Sequence, residues 1–227
     1  MKKLFLSFFF FLSSFFFLAV LPAEAAVVSS EYTIEDFSSE ITVNQDTSLT
    51  VEERISVHFS VPKHGIFRVI PVIYNSGGRT ISAKLKVVSI TDETGKDYHY
   101  EESRDQQSIN LKIGDPQETI TGPHTYVIKY TISEVLLPYE DHDEVYWNVT
   151  GHEWDTIIKK SSAKVVSPFA PITKIACFSG PFGSKEEQCA GDFNHQEAVF
   201  TSSVSLNPGD DFTIVVALSK DNQLKFP

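Results

Sequence analysis

The chain has 227 residues, of which 41% are hydrophobic, and its formal net charge is −11 at pH 7. Such an acidic balance argues against nucleic acid and anionic lipid surfaces as partners, because both would be repelled. The length is sufficient to bury a full hydrophobic core, either as one large all-β domain or as two smaller ones.

The first 25 residues have the three-part pattern of a secretory signal peptide. A short basic start precedes an apolar run over 4–21, and an Ala-x-Ala cleavage pattern ends at Ala25. We therefore predict an exported domain over 26–227, located in the cell envelope or outside the cell. The alternative is an uncleaved anchor that tethers the protein to the membrane through residues 1–21, because this run is close to the ~20 residues that span a bilayer.

Period-two alternation of apolar and polar side chains dominates the rest of the chain. Apolar residues occupy odd positions from Leu49 to Phe59, with polar residues between them, which is typical of a strand with one buried face. Glu53 interrupts this apolar face, and we place it near the rim of the sheet. Similar runs follow at 81–87, 109–113, 126–132, 145–149 and 212–218.

Turn signals rich in Gly, Pro, Asn and Asp separate these runs, and the exported part shows no amphipathic helix of about ten residues or more. The pattern predicts an all-β fold, specifically an antiparallel β-sandwich of the immunoglobulin-like or Greek-key type. Two prolines at 168 and 171 mark a candidate boundary. Two packed β-subdomains over 30–167 and 168–220 are therefore the alternative to one domain.

Cys177 and Cys189 are the two cysteines of the chain, and the loop between them is rich in Gly, Ser and Pro. In an oxidising compartment such a pair predicts a disulfide. A metal site would need two further ligands at close spacing, and the neighbouring sequence does not supply them. A reactive thiol is the other alternative.

Three segments resemble the N-terminal region of the predicted membrane proteins grouped as domain of unknown function 2207. They are 64–71, which reads His-Gly-Ile-Phe-Arg-Val-Ile-Pro, 113–130, which contains Thr-Gly-Pro-His-Thr-Tyr, and 143–154, which contains Trp-Asn-Val-Thr-Gly. The resemblance extends from about Tyr32 to Leu218. It implies an exported β-domain followed by a membrane helix and a further part, with no established activity. The chain ends at Pro227, where that helix would be expected, so we expect either a truncated or split version of such a protein or one that has lost its anchor. The expected partner is another envelope protein or the membrane-anchored portion.

The residues that carry the resemblance have no known role. Trp147 and Trp154 are both expected in the core, with an aromatic platform for a sugar or a peptide as the alternative. Arg68 is expected to pair with an acidic side chain at a sheet edge, with ligand carboxylate binding as the alternative. Asn148 begins an Asn-x-Thr sequon, and we expect it to bond a neighbouring turn. The full set is Arg68, Pro71, Gly122, Tyr126, Trp147, Asn148, Gly151 and Trp154.

The densest group of acidic side chains lies at 140–144. Carboxylate oxygens could bind calcium, but the spacing does not match an EF-hand loop, and a solvated acidic loop is the simpler interpretation. No metal ion is therefore expected. The weak candidates for metal ligands are Glu140, Asp141, Asp143 and Glu144.

No sequence motif for catalysis is recognisable: the chain has no His-Glu-x-x-His, no Gly-x-Ser-x-Gly and no Gly-rich phosphate loop. We expect a non-catalytic interaction or scaffold module at the cell envelope, without a cofactor. One alternative is a calcium- or carbohydrate-binding module. The other is an envelope hydrolase that uses His124, His152 and the acidic segment at 140–144.

Overall fold

The computed structural model describes residues 30–76 and 78–226. The predicted signal peptide over 1–25 therefore lies outside the described residues. In the described part, sixteen strands and no helix form the regular structure, which confirms the all-β prediction. The strands are β1 (Tyr32–Val43), β2 (Leu49–Lys63), β3 (Ile66–Pro71), β4 (Ile73–Ser76), β5 (Arg79–Ser82), β6 (Lys84–Thr91), β7 (Tyr100–Arg104), β8 (Ser108–Ile113), β9 (Ile120–Ser133), β10 (Leu136–Pro138), β11 (His142–Asn148), β12 (Ser161–Val166), β13 (Ile172–Pro181), β14 (Cys189–Phe193), β15 (Glu197–Ser202) and β16 (Asp210–Ser219).

The largest sheet has seven strands in the order β14-β15-β12-β1-β2-β9-β6. Its neighbours pair antiparallel except for β1 and β12, which run parallel, with Phe37 opposite Ser161. This parallel pair corrects the prediction of purely antiparallel pairing. It needs a long connection, and more than 100 residues separate the two strands.

Three smaller sheets complete the structure. Four strands pair in the order β10-β11-β16-β13, three in the order β3-β8-β7, and β4 forms a hairpin with β5. The first two of these sheets lie on the same face of the large sheet. Arg68 of β3 contacts Glu53 of β2, and the Trp147 ring of β11 lies 6.4 Å from the Tyr130 ring of β9. The immunoglobulin-like or Greek-key connectivity stays a prediction.

The core lies between these sheets. Along β2 the odd positions from Leu49 to Phe59 are buried, as the alternation predicts, while the even positions remain partly or fully exposed. One continuous apolar cluster contains residues of the seven-, four- and three-stranded sheets. The candidate boundary near residue 168 falls between β12 and β13, and strands from both sides of it, β12 and β15, pair with each other. Among the described residues, no helix has the length and apolar character needed to cross a membrane.

Cys177 and Cys189 form a disulfide with their Cα atoms 6.2 Å apart. The bond joins β13 of the four-stranded sheet to β14 of the seven-stranded sheet. It therefore links two sheets covalently and closes the loop over 178–188.

Removing this disulfide with the double substitution Cys177→Ala and Cys189→Ala is expected to lower the free energy of unfolding by about 3 kcal/mol, because the unfolded chain regains the entropy of the open loop. Urea unfolding of the variant and of the oxidised wild type measures the difference. The wild type in excess reductant serves as a matched control and should unfold like the variant. Identical midpoints for the variant and the oxidised protein would contradict the prediction.

Candidate functional site

The interface between the large sheet and the two smaller sheets contains a buried ion pair. The side chains of Arg68 and Glu53 are 2% and 0% exposed. The Arg68 guanidinium donates from Nε to Oε2 of Glu53 at 2.8 Å and from Nη2 to Oε1 at 2.7 Å. This bidentate geometry is the strongest form of an arginine–carboxylate contact.

The remaining donors of Arg68 bind backbone carbonyls. Nη1 donates to Val69 O at 2.9 Å and to Thr150 O at 2.7 Å, and Nη2 donates to Val149 O at 3.3 Å. All five N–H groups of the guanidinium are therefore satisfied. The same guanidinium lies 5.4 Å from the Phe37 ring and 6.0 Å from the Trp154 ring, within the range of cation–π attraction.

The electrostatics of this cluster are set by burial and by the charge of the partner. Burial disfavours the charged form of Arg68, but attraction to Glu53 and the hydrogen bonds between them outweigh it, so the pKa of Arg68 is raised. The Tyr130 hydroxyl donates to Oε1 of Glu53 at 2.7 Å. Burial, followed by the Glu53 charge, raises the pKa of Tyr130 well above its usual value, so its hydroxyl remains a donor.

The Trp-Asn-Val-Thr-Gly segment caps this ion pair. Gly151 has φ 73°, and a Cβ atom there would lie 2.9 Å from Nη1 of Arg68. Trp154 donates from Nε1 to Thr150 O at 2.9 Å. Asn148 accepts from the Gly151 N–H at 2.8 Å, which confirms the predicted contact with a neighbouring turn. The segment is therefore a tight loop built around the Arg68 guanidinium.

Two predictions for this region change in part, and two are confirmed. Glu53 is not at the rim of its sheet but at the centre of the interface, because Arg68 compensates its charge there. Arg68 does pair with an acidic side chain, although between sheets and not at an edge. Trp154 is 5% exposed, so the prediction of a core residue is confirmed and the aromatic platform is wrong. Trp147 is 4% exposed and in the core, as predicted.

The other residues that carry the family resemblance lie in the strands around this cluster. Pro71 ends β3 opposite Ser108, and Gly122 lies in β9 opposite Phe59 with φ 75°. Tyr126 of β9 is buried with its ring stacked on Tyr98 at 4.7 Å. Among the described residues its hydroxyl has no hydrogen-bond partner.

The four acidic candidates for calcium binding do not converge on one point. Asp143 is buried in β11 and accepts from Lys220 at 2.6 Å and from Asn222 at 3.1 Å, which corrects the expectation of a solvated loop. Asp141 pairs instead with His142 at 2.7 Å, Glu144 lies 3.6 Å from the same ring, and Glu140 is exposed. Across 30–76 and 78–226, no group of three or more His, Cys, Asp or Glu side chains could hold a metal ion.

An open cavity of about 1010 Å³ lies beside the ion pair. Its walls come from β3 and β8 of the three-stranded sheet, from β11, β13 and β16 of the four-stranded sheet, and from the disulfide loop. Trp147 and His152 line it, and among the described residues Trp147 Nε1 and His152 Nδ1 are buried without a hydrogen-bond partner. Unpartnered buried polar atoms are rare, so each of these two calls for an explanation.

Asp211 is the buried carboxylate of this cavity, with 6% of its surface exposed. Burial raises its pKa from 3.8 to about 6, while the hydrogen bond from Asn148 Nδ2 and the nearby His152 oppose the shift. The folded protein therefore binds the Asp211 proton more tightly than the unfolded chain does. Stability from this group is present at low pH and is lost as the pH rises through 4 to 6.

Substitution of Asp211 by Asn is expected to raise the free energy of unfolding at pH 7.5 by about 1–3 kcal/mol, because the buried charge is removed while Asn148 keeps an acceptor. At pH 4 the gain should vanish, since the wild-type carboxyl is then protonated. Urea unfolding at both pH values measures the effect. The variant Glu140→Gln, which removes an exposed carboxylate, should show no such difference. A stability loss at pH 7.5 would contradict the prediction.

The histidines named for a hydrolase lie apart in the fold. His124 is in β9 opposite Val57, with its ring 5.9 Å from Phe59. His152 follows β11 and bonds Glu153 at 2.8 Å. Of these histidines, the described walls of the cavity include His152 but not His124, and they include none of the acidic residues at 140–144.

Two residues of the site, Glu53 and Asp211, were not predicted from the sequence. A signal for the ion pair was present, because Glu53 and Arg68 each occupy a buried-face position in an alternating run. Asp211 carried no comparable signal, since it follows an Asn-Pro-Gly-Asp turn and is indistinguishable there from a solvated acid.

These features define an all-β domain in which smaller sheets close over a buried arginine–glutamate pair. The family model described as "Predicted membrane protein (DUF2207) N-terminal domain" matches residues 33–223. The chain belongs to this family, as the resemblance of its motifs predicted.

The chain is similar to known proteins in sequence and in structure. "Uncharacterized protein YciQ" from Escherichia coli (strain K12) is 29% identical over 167 residues, which cover 69% of this chain and 26% of that protein. The chain thus spans about a quarter of the length of this relative. The structure of yeast LTA4 hydrolase in complex with Bestatin gives a TM-score of 0.53 at 8% identity and covers 82% of this chain and 28% of that one. This second likeness concerns the fold alone.

Proposed function

We propose that this domain is exported and acts as a non-catalytic interaction or scaffold module at the cell envelope. The observation that carries the proposal is that residues of the family motifs pack inside the domain. Arg68, Gly151 and Trp154 are turned inward and hold sheets together around a buried charge. Because these motif residues pack inside the domain, we favour a rigid structural module over a catalytic site.

The proposed location follows from the N-terminal pattern and the disulfide. The predicted signal peptide fits export from the cytoplasm, and the disulfide between two sheets fits an oxidising compartment. The partner we propose is a membrane-anchored portion of a longer protein or another envelope protein. The family description as a predicted membrane protein supports this choice.

A reporter fusion tests the proposed export. Alkaline phosphatase, which folds only outside the bacterial cytoplasm, is joined after residue 226, with a matched fusion that lacks residues 1–25. We expect phosphatase activity from the first fusion and none from the second. Equal activity of the two fusions, or an inactive first fusion, would refute export.

In-cell cross-linking tests the proposed interaction role. A photoreactive residue is placed at the exposed Phe67 or at the exposed Val88, and the cross-linked products are identified by mass spectrometry. We expect a reproducible adduct with a membrane or envelope protein. A protein that forms no adduct and turns over a substrate would contradict the scaffold role.

A further inference from the structure

The walls of the cavity beside the ion pair carry three carboxylates and one imidazole, that of His152. Asp105, Glu153 and Asp211 line it, and no Lys or Arg is among its described lining residues. Its volume of about 1010 Å³ is at the upper end of the range for small-molecule sites. An anionic ligand would therefore be repelled, whereas a cationic one would be attracted.

Two of the three carboxylates are compensated within the protein. Asp105 accepts hydrogen bonds from the backbone N–H groups of Gln107 and Ser108, and from the Ser108 hydroxyl and the Asn110 amide. Glu153 pairs with His152 at 2.8 Å. Neither group needs a further partner.

Of the three carboxylates that line the cavity, Asp211 has the fewest interactions that compensate its negative charge. Its Oδ2 accepts from Asn148 Nδ2 at 2.8 Å, whereas its Oδ1 is not one of the buried side-chain atoms without a partner, so it can be reached from the cavity. A carboxylate that is 6% exposed loses most of its contact with water, and one hydrogen bond from a neutral amide offsets only part of that cost. A cation placed in the cavity would supply the missing compensation.

Aromatic side chains also line this cavity. Tyr146 and Phe178 line its walls, and Phe182 is 64% exposed at its surface, with the ring centroid 3.9 Å from that of His152. Phe182 belongs to the loop that the disulfide closes. Because Gly180 pairs with Asp211 in the register of β13 and β16, the disulfide holds these aromatic residues beside the carboxylate on the same sheet.

We propose that this cavity binds a primary ammonium group carried on an apolar stem, with the ammonium at Asp211 and the stem against Phe178 and Phe182. The ammonium supplies the donor and the charge that Asp211 lacks, and the stem covers exposed aromatic surface. This ligand site goes beyond the scaffold role and does not depend on it. The ammonium belongs either to a free amine or to a lysine side chain of a partner.

Three probes of one shape and different charge test the site. Phenethylammonium, 2-phenylethanol and phenylacetate are titrated into the purified protein at pH 7.5, with binding followed by calorimetry and by two-dimensional NMR. We expect the ammonium to bind about tenfold or more tightly than the alcohol, because a charge-assisted bond replaces a neutral one, and the carboxylate not to bind. Equal binding of all three, or no binding of the ammonium at millimolar concentration, would overturn the proposal.

Substitutions locate the ammonium within the cavity. Asp211→Asn should weaken phenethylammonium binding about tenfold and abolish its advantage over the alcohol. Glu140→Gln, which removes a carboxylate outside the cavity, should leave both affinities unchanged. Unfolding curves confirm that both variants are folded. Wild-type affinity of Asp211→Asn for phenethylammonium would overturn the assignment.

A further pair of probes separates the two sources of the ammonium. The capped dipeptide N-acetyl-Phe-Lys-amide is compared with phenethylammonium in the same titration. Tighter binding of the dipeptide supports a lysine of a partner protein, and tighter binding of the free amine supports a small molecule. Failure of both to bind would overturn the proposal.

Discussion

Substitution of Arg68 by Met is expected to lower the free energy of unfolding by about 3–5 kcal/mol. The variant leaves the Glu53 carboxylate buried without its partner, and it removes the donors to the carbonyls of Val149 and Thr150. Urea unfolding at pH 7 measures the loss. For a domain of ordinary stability, a loss of this size would remove a large fraction of the total.

Two further variants separate the buried charge from general packing. Adding Glu53→Gln to Arg68→Met removes the stranded carboxylate, and we expect the double variant to regain part of the loss. Lys84→Met breaks an ion pair with Glu134 in which the two side chains are 75% and 48% exposed, and it should change stability by less than about 1 kcal/mol. An Arg68→Met variant as stable as Lys84→Met would show that the ion pair does not hold the sheets.

Substitution of Gly65 or Gly114 by Ala is expected to prevent stable folding. The two glycines lie back to back, with φ 145° and 137°, and each would place a Cβ atom 1.8 Å from a backbone oxygen of the other segment. No rotation of a side chain relieves such a clash, so the strands β3 and β8 would have to separate. Circular dichroism and urea unfolding would report a loss of several kcal/mol or an unfolded chain.

Gly95 is the matched control for these two positions. It also has a positive φ, 89°, but a Cβ atom there would have nothing within 4 Å. Gly95→Ala therefore measures the conformational strain alone, which is about 1–2 kcal/mol. If Gly65→Ala and Gly95→Ala lowered stability equally, the close approach of the two segments would be refuted.

Local sequence patterns predicted the strands well, because alternation reports directly which side of a strand is buried. Alternation predicts that the odd positions of β2 from Leu49 to Phe59 are in the core, and they lie there. The prediction that Glu53 lies at the rim of its sheet is wrong, because the alternation pattern treats a charged side chain as exposed. The cost of burying the Glu53 carboxylate is offset by Arg68. The partner lies 15 positions away in another sheet, where alternation along one strand carries no information.

Pairings between distant strands could not be predicted from one sequence. The parallel pair of β1 and β12 depends on how the chain crosses the sheets, and no local pattern specifies it. The cavity is unpredictable for the same reason, since Asp105, His152, Phe182 and Asp211 come from four separate segments. The disulfide was predictable because the chain has two cysteines, which allow a single pairing.

The state of the two cysteines in living cells tests export of this β-domain most directly. Cells are quenched in acid, and the denatured proteins are alkylated with a thiol reagent before and after reduction, so that burial does not protect the thiols. We predict that Cys177 and Cys189 react only after reduction, in a chain recovered from the envelope or from the medium. Free thiols in a chain recovered from the cytoplasm would contradict the account.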